Sequence, residues 1–204
     1  MTDIRTTSIE ADCFYHIYNR GINGENIFKS EQNYLFFLKK ISEFLIPVCE
    51  VYAYCLMPNH FHLLVKIKSD FELASLVKTA ECIPTGLHSP QNIFSKQFSR
   101  IFNSYSQAFN KENKRHGALI ESPFKRKLIN SDSYLINLII YIHQNPERHA
   151  VTDQFSKYNF SSYQTILSKA KTLLKRDEVL ELFDNKENFI LSHHKMIDFD
   201  SELT

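Results

Sequence analysis

Residues 51–67 read Val-Tyr-Ala-Tyr-Cys-Leu-Met-Pro-Asn-His-Phe-His-Leu-Leu-Val-Lys-Ile. Two runs rich in strand-forming residues flank Pro58-Asn59, a pair that favours a tight turn. The pattern predicts a β-hairpin with strands near residues 50–57 and 60–68.

A pair of histidines lies on the second predicted strand. Side chains alternate between the faces of a strand, so His60 and His62 share one face, while Phe61, Leu63 and Val65 form an apolar surface on the other. Residues two apart on a strand are about 6.5–7 Å apart, and two imidazoles at this spacing can bind one divalent cation. Such a pair also arises by chance, and a half-buried histidine is usually only hydrogen-bonded. Both readings stay open from the hairpin alone.

Length and composition define the class of protein. The 204 residues, 43% of them hydrophobic, are enough for one domain with a real core, or one domain with an extension. We find no run of eighteen apolar residues and no signal peptide, so we expect a cytoplasmic protein. The cysteines (Cys13, Cys49, Cys55 and Cys82) form no CxxC pair and are expected to be free thiols. A zinc site from Cys82 and His88 is a remote alternative.

The net charge of +1 hides an asymmetry. Residues 177–204 contain eight acidic side chains and two lysines, a charge of −6, which leaves +7 on residues 1–176. A basic body with an acidic tail permits a nucleic-acid partner but does not require one.

The remaining elements follow from periodicity and from turn residues. We predict a strand at 12–19, a helix at 31–46, the hairpin, a helix from Phe71, a long loop at 81–95, a helix at 96–113, a strand within 118–129, a helix at 132–145 ended by Pro146, and one or two helices within 158–183. The order β-α-β-β-α-β predicts an α+β, ferredoxin-like fold, an antiparallel sheet with helices on one face. An added helix and a C-terminal helical extension follow it. Many functions use this fold.

The predicted helix 132–145 carries a second polar cluster. Tyr134, Leu138, Tyr141 and Asn145 are spaced by four, three and four residues, so they share a face. A phenol and an amide one turn apart could attack a substrate and complete a metal site. Alternatively, Tyr141 packs its ring and Asn145 only ends the helix. Tyr105 competes as a nucleophile, but the aromatic stripe on its helix favours packing.

Four stretches in this order resemble the single-tyrosine HUH transposases, in particular the REP-associated tyrosine transposases. They are Met-Pro-Asn-His-Phe-His-Leu-Leu-Val (57–65), Tyr-His-Ile-Tyr-Asn-Arg-Gly (15–21) with Ile27-Phe28, Gly-Ala-Leu-Ile-Glu-Ser-Pro-Phe-Lys (117–125) and Tyr-Ile-His-Gln-Asn-Pro-Glu-Arg-His (141–149). The similarity runs from about residue 12 to 165. It implies a transposase domain at 1–165 and a helical, acidic extension at 166–204. The chain departs from the family in having no tryptophan and in Glu147 and Ala150.

The resemblance implies a mechanism for these residues. Tyr141 takes the place of the nucleophile, and His60, His62 and Asn145 take the places of the ligands to Mg²⁺ or Mn²⁺, which accept mixed nitrogen and oxygen donors. Free tyrosine, with a pKa of about 10, is a poor nucleophile at neutral pH, and a divalent cation offsets charge on the scissile phosphate. The expected product is a 5′-phosphotyrosine link to single-stranded or hairpin DNA.

DNA binding is expected from basic residues around this site. The candidates are Arg20, Lys111, Lys114, Arg115, Lys125, Arg126 and Lys127. Charge runs are often only solvated surface, so this expectation depends on the resemblance. Two rival functions remain: a non-catalytic nucleic-acid-binding relative on the same fold, and a metal-binding structural or hydrolytic protein that does not use Tyr141. The sequence does not distinguish a monomer from a homodimer.

Overall fold

A computed structural model describes residues 8–79 and 90–195, with only the backbone for 76–79 and 90–92. Its strands are β1 (Phe14–Arg20), β2 (Cys49–Leu56), β3 (His60–Ile67) and β4 (Lys125–Ile129). Its α-helices are α1 (Glu31–Lys40), which continues as a π-helical turn (Ile41–Leu45), α2 (Asp70–Thr79), α3 (Pro90–Glu112), α4 (Asp132–Arg148), α5 (Tyr163–Leu167), α6 (Arg176–Leu182) and α7 (Lys186–His193). Short 3₁₀ turns occupy Ile22–Gly24 and Phe155–Lys157.

The four strands form one antiparallel sheet in the order β2-β3-β1-β4. This is the ferredoxin-like arrangement, so the predicted fold class is confirmed. The hairpin is confirmed as well, because Met57 and His60 exchange backbone hydrogen bonds of 2.7 and 3.3 Å around the Pro58-Asn59 turn. The register places β1 beside β3, with Tyr18 opposite His62.

Helices cover both faces of the sheet, whereas the sequence predicted helices on one face. The first face packs Ile17, Leu63 and their neighbours against α1 and α3 in one apolar cluster. The second face packs Leu64 and its neighbours against α4 and the C-terminal helices. Helix α4 has buried apolar side chains around most of its circumference, as expected for a helix sandwiched between two layers. The face that carries the histidine pair is therefore covered by α4.

Helices α3 and α4 are each longer than predicted. Helix α4 continues through Pro146 to Arg148, because the amide nitrogens of His149 and Val151 close the last turn on the carbonyls of Asn145 and Pro146 at 3.0 and 2.8 Å. Helix α3 begins at Pro90, a residue suited to the first helical position. The predicted loop 81–95 is therefore helical from residue 90, and the rest of it lies outside the described residues.

The C-terminal segment is tied to the core by polar contacts. Lys175 forms ion pairs with Glu50 on β2 and with Glu178 at 2.7 and 2.6 Å. His143 on α4 hydrogen-bonds through Nδ1 to His193 Nε2 at 2.8 Å and through Nε2 to Ser162 Oγ at 2.7 Å. None of the helices in the described ranges is long and apolar enough to cross a membrane.

Candidate active site

A cleft of about 690 Å³ opens where β1 ends and β3 begins. Because His60 directly follows the hairpin turn, it lies at the open end of the sheet, and His62 lies one step further in. Helix α4 forms the wall above them. Its N-terminus is fixed by Ser131, whose side chain accepts a hydrogen bond from Tyr134 N. The cleft lining includes Tyr141 and His149 from α4 and its C-cap.

The two histidines stand with their rings nearly perpendicular, 5.2 Å between centroids. His60 Nδ1 lies 2.7 Å from the Asn59 Oδ1 atom. An amide oxygen can only accept, so Nδ1 donates and the lone pair of His60 is on Nε2. His62 Nδ1 lies 2.9 Å from Nε2 of His16 on the neighbouring strand. Each imidazole is thus hydrogen-bonded through Nδ1 to a neighbouring side chain, and this contact fixes the orientation of the ring.

Both histidines are held neutral. Burial, with a further contribution from the charge of His149, lowers the pKa of His60 to about 4. Burial also lowers the pKa of His62 well below its usual value, and the charges of His16 and His60 act in the same direction. Neutral imidazole is the form that ligates a metal.

Helix α4 brings Tyr141 and Asn145 to the same place. The Tyr141 ring, 6% exposed, meets the His62 ring edge-on at 5.6 Å between centroids. Asn145 is fully buried and donates through Nδ2 to the Tyr141 carbonyl at 2.9 Å. Its Oδ1 atom has no well-formed hydrogen bond among the described residues, although the amide is close enough to His60 to raise the pKa of that imidazole. The structure therefore places His60, His62 and Tyr141 in the cleft lining and buries the Asn145 amide beside His60, one helical turn from Tyr141.

The donor set fits a divalent cation. Two neutral imidazoles and a buried amide oxygen without a hydrogen-bond partner among the described residues could supply mixed nitrogen and oxygen donors to a divalent cation. Within residues 8–79 and 90–195, no group of three His, Cys, Asp or Glu side chains could hold a metal. A site here therefore depends on Asn145 as the third protein ligand.

Sequence reasoning assigned no role to three further side chains of this site. The Tyr18 ring stacks against His62 at 5.8 Å between centroids, and the His16 ring lies 4.7 Å from the Tyr18 ring. The His149 ring lies 5.1 Å from His60. His149 follows Asn145 by four residues, so helical spacing could have found it. The contacts of His16 and Tyr18 depend on the pairing of β1 with β3, which no local pattern specifies.

The predicted DNA-binding residues of β4 separate by face. Lys125 lies opposite Tyr18 and Lys127 opposite His16, so both are on the face of the cleft. Arg126 lies on the other face, 6% exposed, with its guanidinium 5.3 Å from the Phe124 ring centroid. Of the three cations, Lys125 lines the cleft, Lys127 lies on the same face with its Nζ atom 4.8 Å from the Tyr134 ring centroid, and Arg126 is buried against the opposite apolar cluster.

The other predicted DNA-binding residues lie in two places. Arg20 lines the cleft and forms an ion pair with Glu121 at 2.7 Å. Lys111, Lys114 and Arg115 follow one another at the end of α3 and are not part of the cleft lining. Arg115 forms an ion pair at 2.9 Å with a glutamate of the loop after β1.

Tyr105 belongs to the core, as its aromatic stripe predicted. Its ring packs in the cluster on the opposite face of the sheet, and its hydroxyl donates to the Ile27 carbonyl. Burial raises the pKa of this phenol. Cys13, Cys49 and Cys55 are free thiols, and the alternative zinc ligands Cys82 and His88 lie outside the described residues.

Comparisons with known proteins bear on this arrangement. Residues 10–85 match the family model described as "Transposase IS200 like". That segment includes β1 and the hairpin with His60 and His62, while Tyr141 and Asn145 lie beyond it. No curated protein matches the chain.

Two solved structures resemble the fold. A REP-associated tyrosine transposase bound to a REP hairpin matches with a TM-score of 0.55 at 15% identity, covering 86% of this chain and 94% of that chain. A bacterial tRNA(His) guanylyltransferase-like protein in complex with GTP matches with a TM-score of 0.46 at 9% identity, covering 78% and 72% of the two chains; this likeness is too weak to bear on function. The resemblance is therefore confirmed: the chain matches the IS200-like transposases over residues 10–85 and has the fold of a REP-associated tyrosine transposase.

Proposed function

We propose that this protein is a transposase that cuts and rejoins single-stranded DNA through a covalent link to Tyr141. The family match and the shared fold support a transposase role. The observation that carries the chemistry is the placement of the Tyr141 ring against His62, with the unsatisfied Asn145 Oδ1 one helical turn away. A tyrosine used only for packing would not need two neutral imidazoles and an orphaned amide oxygen beside it.

The proposed reaction is an exchange of phosphodiester bonds. The Tyr141 hydroxyl oxygen attacks phosphorus and loses its proton, the bond from phosphorus to the 3′ oxygen breaks, and that oxygen takes up a proton. The products are a 5′-phosphotyrosine and a free 3′-OH. Because one phosphodiester replaces another, the reverse attack by a 3′-OH rejoins DNA without an external energy source.

His60, His62 and Asn145 would hold the divalent cation of this site. When bound, Mg²⁺ or Mn²⁺ supplies electrostatic stabilisation of the charge that builds on the phosphate. Asn59 orients the His60 imidazole through His60 Nδ1, and His16 orients the His62 imidazole through His62 Nδ1. Tyr141 is 6% exposed and borders the cleft, so a phosphate can approach its hydroxyl only from the cleft side.

The proposed substrate is single-stranded DNA next to a hairpin. A REP-associated tyrosine transposase of the same fold was solved bound to a REP hairpin, which supports a hairpin substrate. Lys125 and Arg20 in the cleft lining supply positive charge for the phosphate backbone.

Covalent adduct formation tests this proposal. The full chain is incubated with a hairpin carrying a single-stranded tail and with Mg²⁺ or Mn²⁺, and the products are separated on a denaturing gel. Wild type should give a protein–DNA adduct, whereas His60→Ala and Asn145→Ala should lose it. His194→Ala, a change at an exposed histidine outside the cleft lining, is the matched control and should keep it.

The same assay decides between the proposal and its main rival. A wild-type protein that shifts the hairpin on a native gel but never gives an adduct would be a non-catalytic nucleic-acid-binding relative. Cleavage that proceeds equally well in His60→Ala would show that the cation site is wrongly assigned.

A further inference from the structure

His16 occupies a fixed position behind the histidine pair. It lies on β1, two residues before Tyr18, the residue paired with His62, so it is the diagonal neighbour of His62 on the same face of the sheet. Its side chain is fully buried. Its ring lies edge to edge with that of His62, 5.1 Å between centroids and 21° between planes, and stacks on Tyr18 at 4.7 Å. Contacts with His62 and Tyr18 therefore fix the orientation of the His16 imidazole.

One hydrogen bond joins His16 to His62, and its direction has a chemical consequence. His16 Nε2 and His62 Nδ1 are 2.9 Å apart, so a single hydrogen lies between them. If His62 donates, its lone pair is on Nε2. If His16 donates, His62 carries its hydrogen on Nε2 and cannot bind a cation through that atom. His60 is already fixed in the ligating tautomer by Asn59.

We propose that His16 is a positioning residue that accepts the hydrogen bond from His62 Nδ1–H and so presents His62 Nε2 to the cation. This inference rests on the proposed function, because it assumes a cation held by His60, His62 and Asn145. In this proposal β1 orients a cation ligand, whereas β3 and α4 carry the ligands themselves. Such outer partners set both the tautomer and the ring orientation of a metal-ligating histidine.

Packing alone does not account for a histidine at this position. The other ring nitrogen of His16, Nδ1, is buried and has no hydrogen-bond partner among the described residues. The buried pair His143–His193 offers a contrast, since His143 is hydrogen-bonded at both ring nitrogens. An apolar residue would avoid the unsatisfied nitrogen at position 16. The polar contact that His16 does make goes to a cleft histidine.

Cation affinity of the full-length protein tests the inference. Mn²⁺ binding is measured by electron paramagnetic resonance for wild type, His16→Leu and His16→Gln. The leucine variant should bind about 10–100-fold more weakly, the usual cost of losing an outer partner. Glutamine should restore most of the affinity, because its Oε1 atom can accept from His62 Nδ1–H. His143→Gln alters a buried histidine away from the cleft and should leave affinity unchanged.

The tautomer of His62 gives a second readout that needs no variant. Nitrogen-15 spectra of the Mg²⁺-loaded wild type should show the hydrogen of His62 on Nδ1. A hydrogen on Nε2 would overturn the inference, as would full Mn²⁺ affinity in folded His16→Leu. If wild type binds no Mn²⁺, or if His62→Ala binds Mn²⁺ as tightly as wild type, the proposed cation site is wrong and this inference is wrong with it. If His62→Ala removes binding but His16→Leu does not, the role of His16 alone is wrong.

Discussion

Replacing Lys125 and Lys127 together by alanine should flatten the salt dependence of DNA binding. Both residues lie on the cleft face of β4, opposite Tyr18 and His16, while Arg126 between them faces the other way. Each protein–phosphate contact contributes a slope of about −0.7 to −0.9 to the plot of log affinity against log salt. Losing two contacts should therefore reduce the slope by about 1.4–1.8.

The size of this effect is measurable by fluorescence anisotropy with a labelled hairpin. Between 50 and 200 mM salt, wild type should lose about 7–12-fold more affinity than the double variant, which follows from the difference in slope over a fourfold change in salt. The comparison uses the slope, so any uniform weakening from a local change in structure does not affect it.

A charge-matched control separates local contacts from net charge. Lys169→Ala with Lys171→Ala removes two exposed cations from the segment beside β2, the sheet edge opposite β4. This control should keep the wild-type slope. Equal slopes for all three proteins would refute the assignment of the backbone contacts to β4.

Two further predictions concern stability and the competing tyrosine. Burial lowers the pKa of His193 to about 4, below about 6.5 for the unfolded chain, so the unfolded state takes up the proton first as pH falls. The free energy of unfolding should therefore drop below pH 6.5 by about 1.4 kcal/mol per pH unit from this residue. Urea titrations at pH 7 and 5 should show a smaller drop for His193→Gln than for wild type; equal drops would contradict this. Tyr105→Phe should keep full adduct formation but lower the unfolding free energy by about 1–3 kcal/mol, since the Ile27 carbonyl loses its donor; loss of the adduct in folded protein would place Tyr105 in the chemistry.

The hairpin and the order of elements were predictable because their signals are local. Alternation with a period of two, interrupted by Pro58-Asn59, specifies both strands and the face of His60 and His62. Helical spacing likewise placed Tyr141 and Asn145 on one face. The same alternation separates Arg126 from its neighbours on β4, so treating 125–127 as one basic cluster overlooked information that the sequence contains.

The remaining features depend on contacts between distant parts of the chain. The covering of the second sheet face follows from the packing of α4 against both the sheet and α7, which no single segment encodes. The proposed role of His16 depends on β1 lying beside β3. Pro146 was expected to end its helix, but backbone bonds from beyond the helix close the last turn around it.

The central claim, nucleophilic attack by Tyr141, is tested most directly by mapping the covalent adduct. The protein–DNA product is digested with protease and nuclease, and the modified peptide is identified by mass spectrometry. Tyr18 also lines the cleft, which makes it the natural rival, and Tyr18→Phe serves as the control for Tyr141→Phe. We predict a 5′-phosphonucleotide on Tyr141, and no adduct at all in Tyr141→Phe. An adduct on Tyr18, or a cut strand with a free 5′ phosphate and no adduct at any time, would contradict the account.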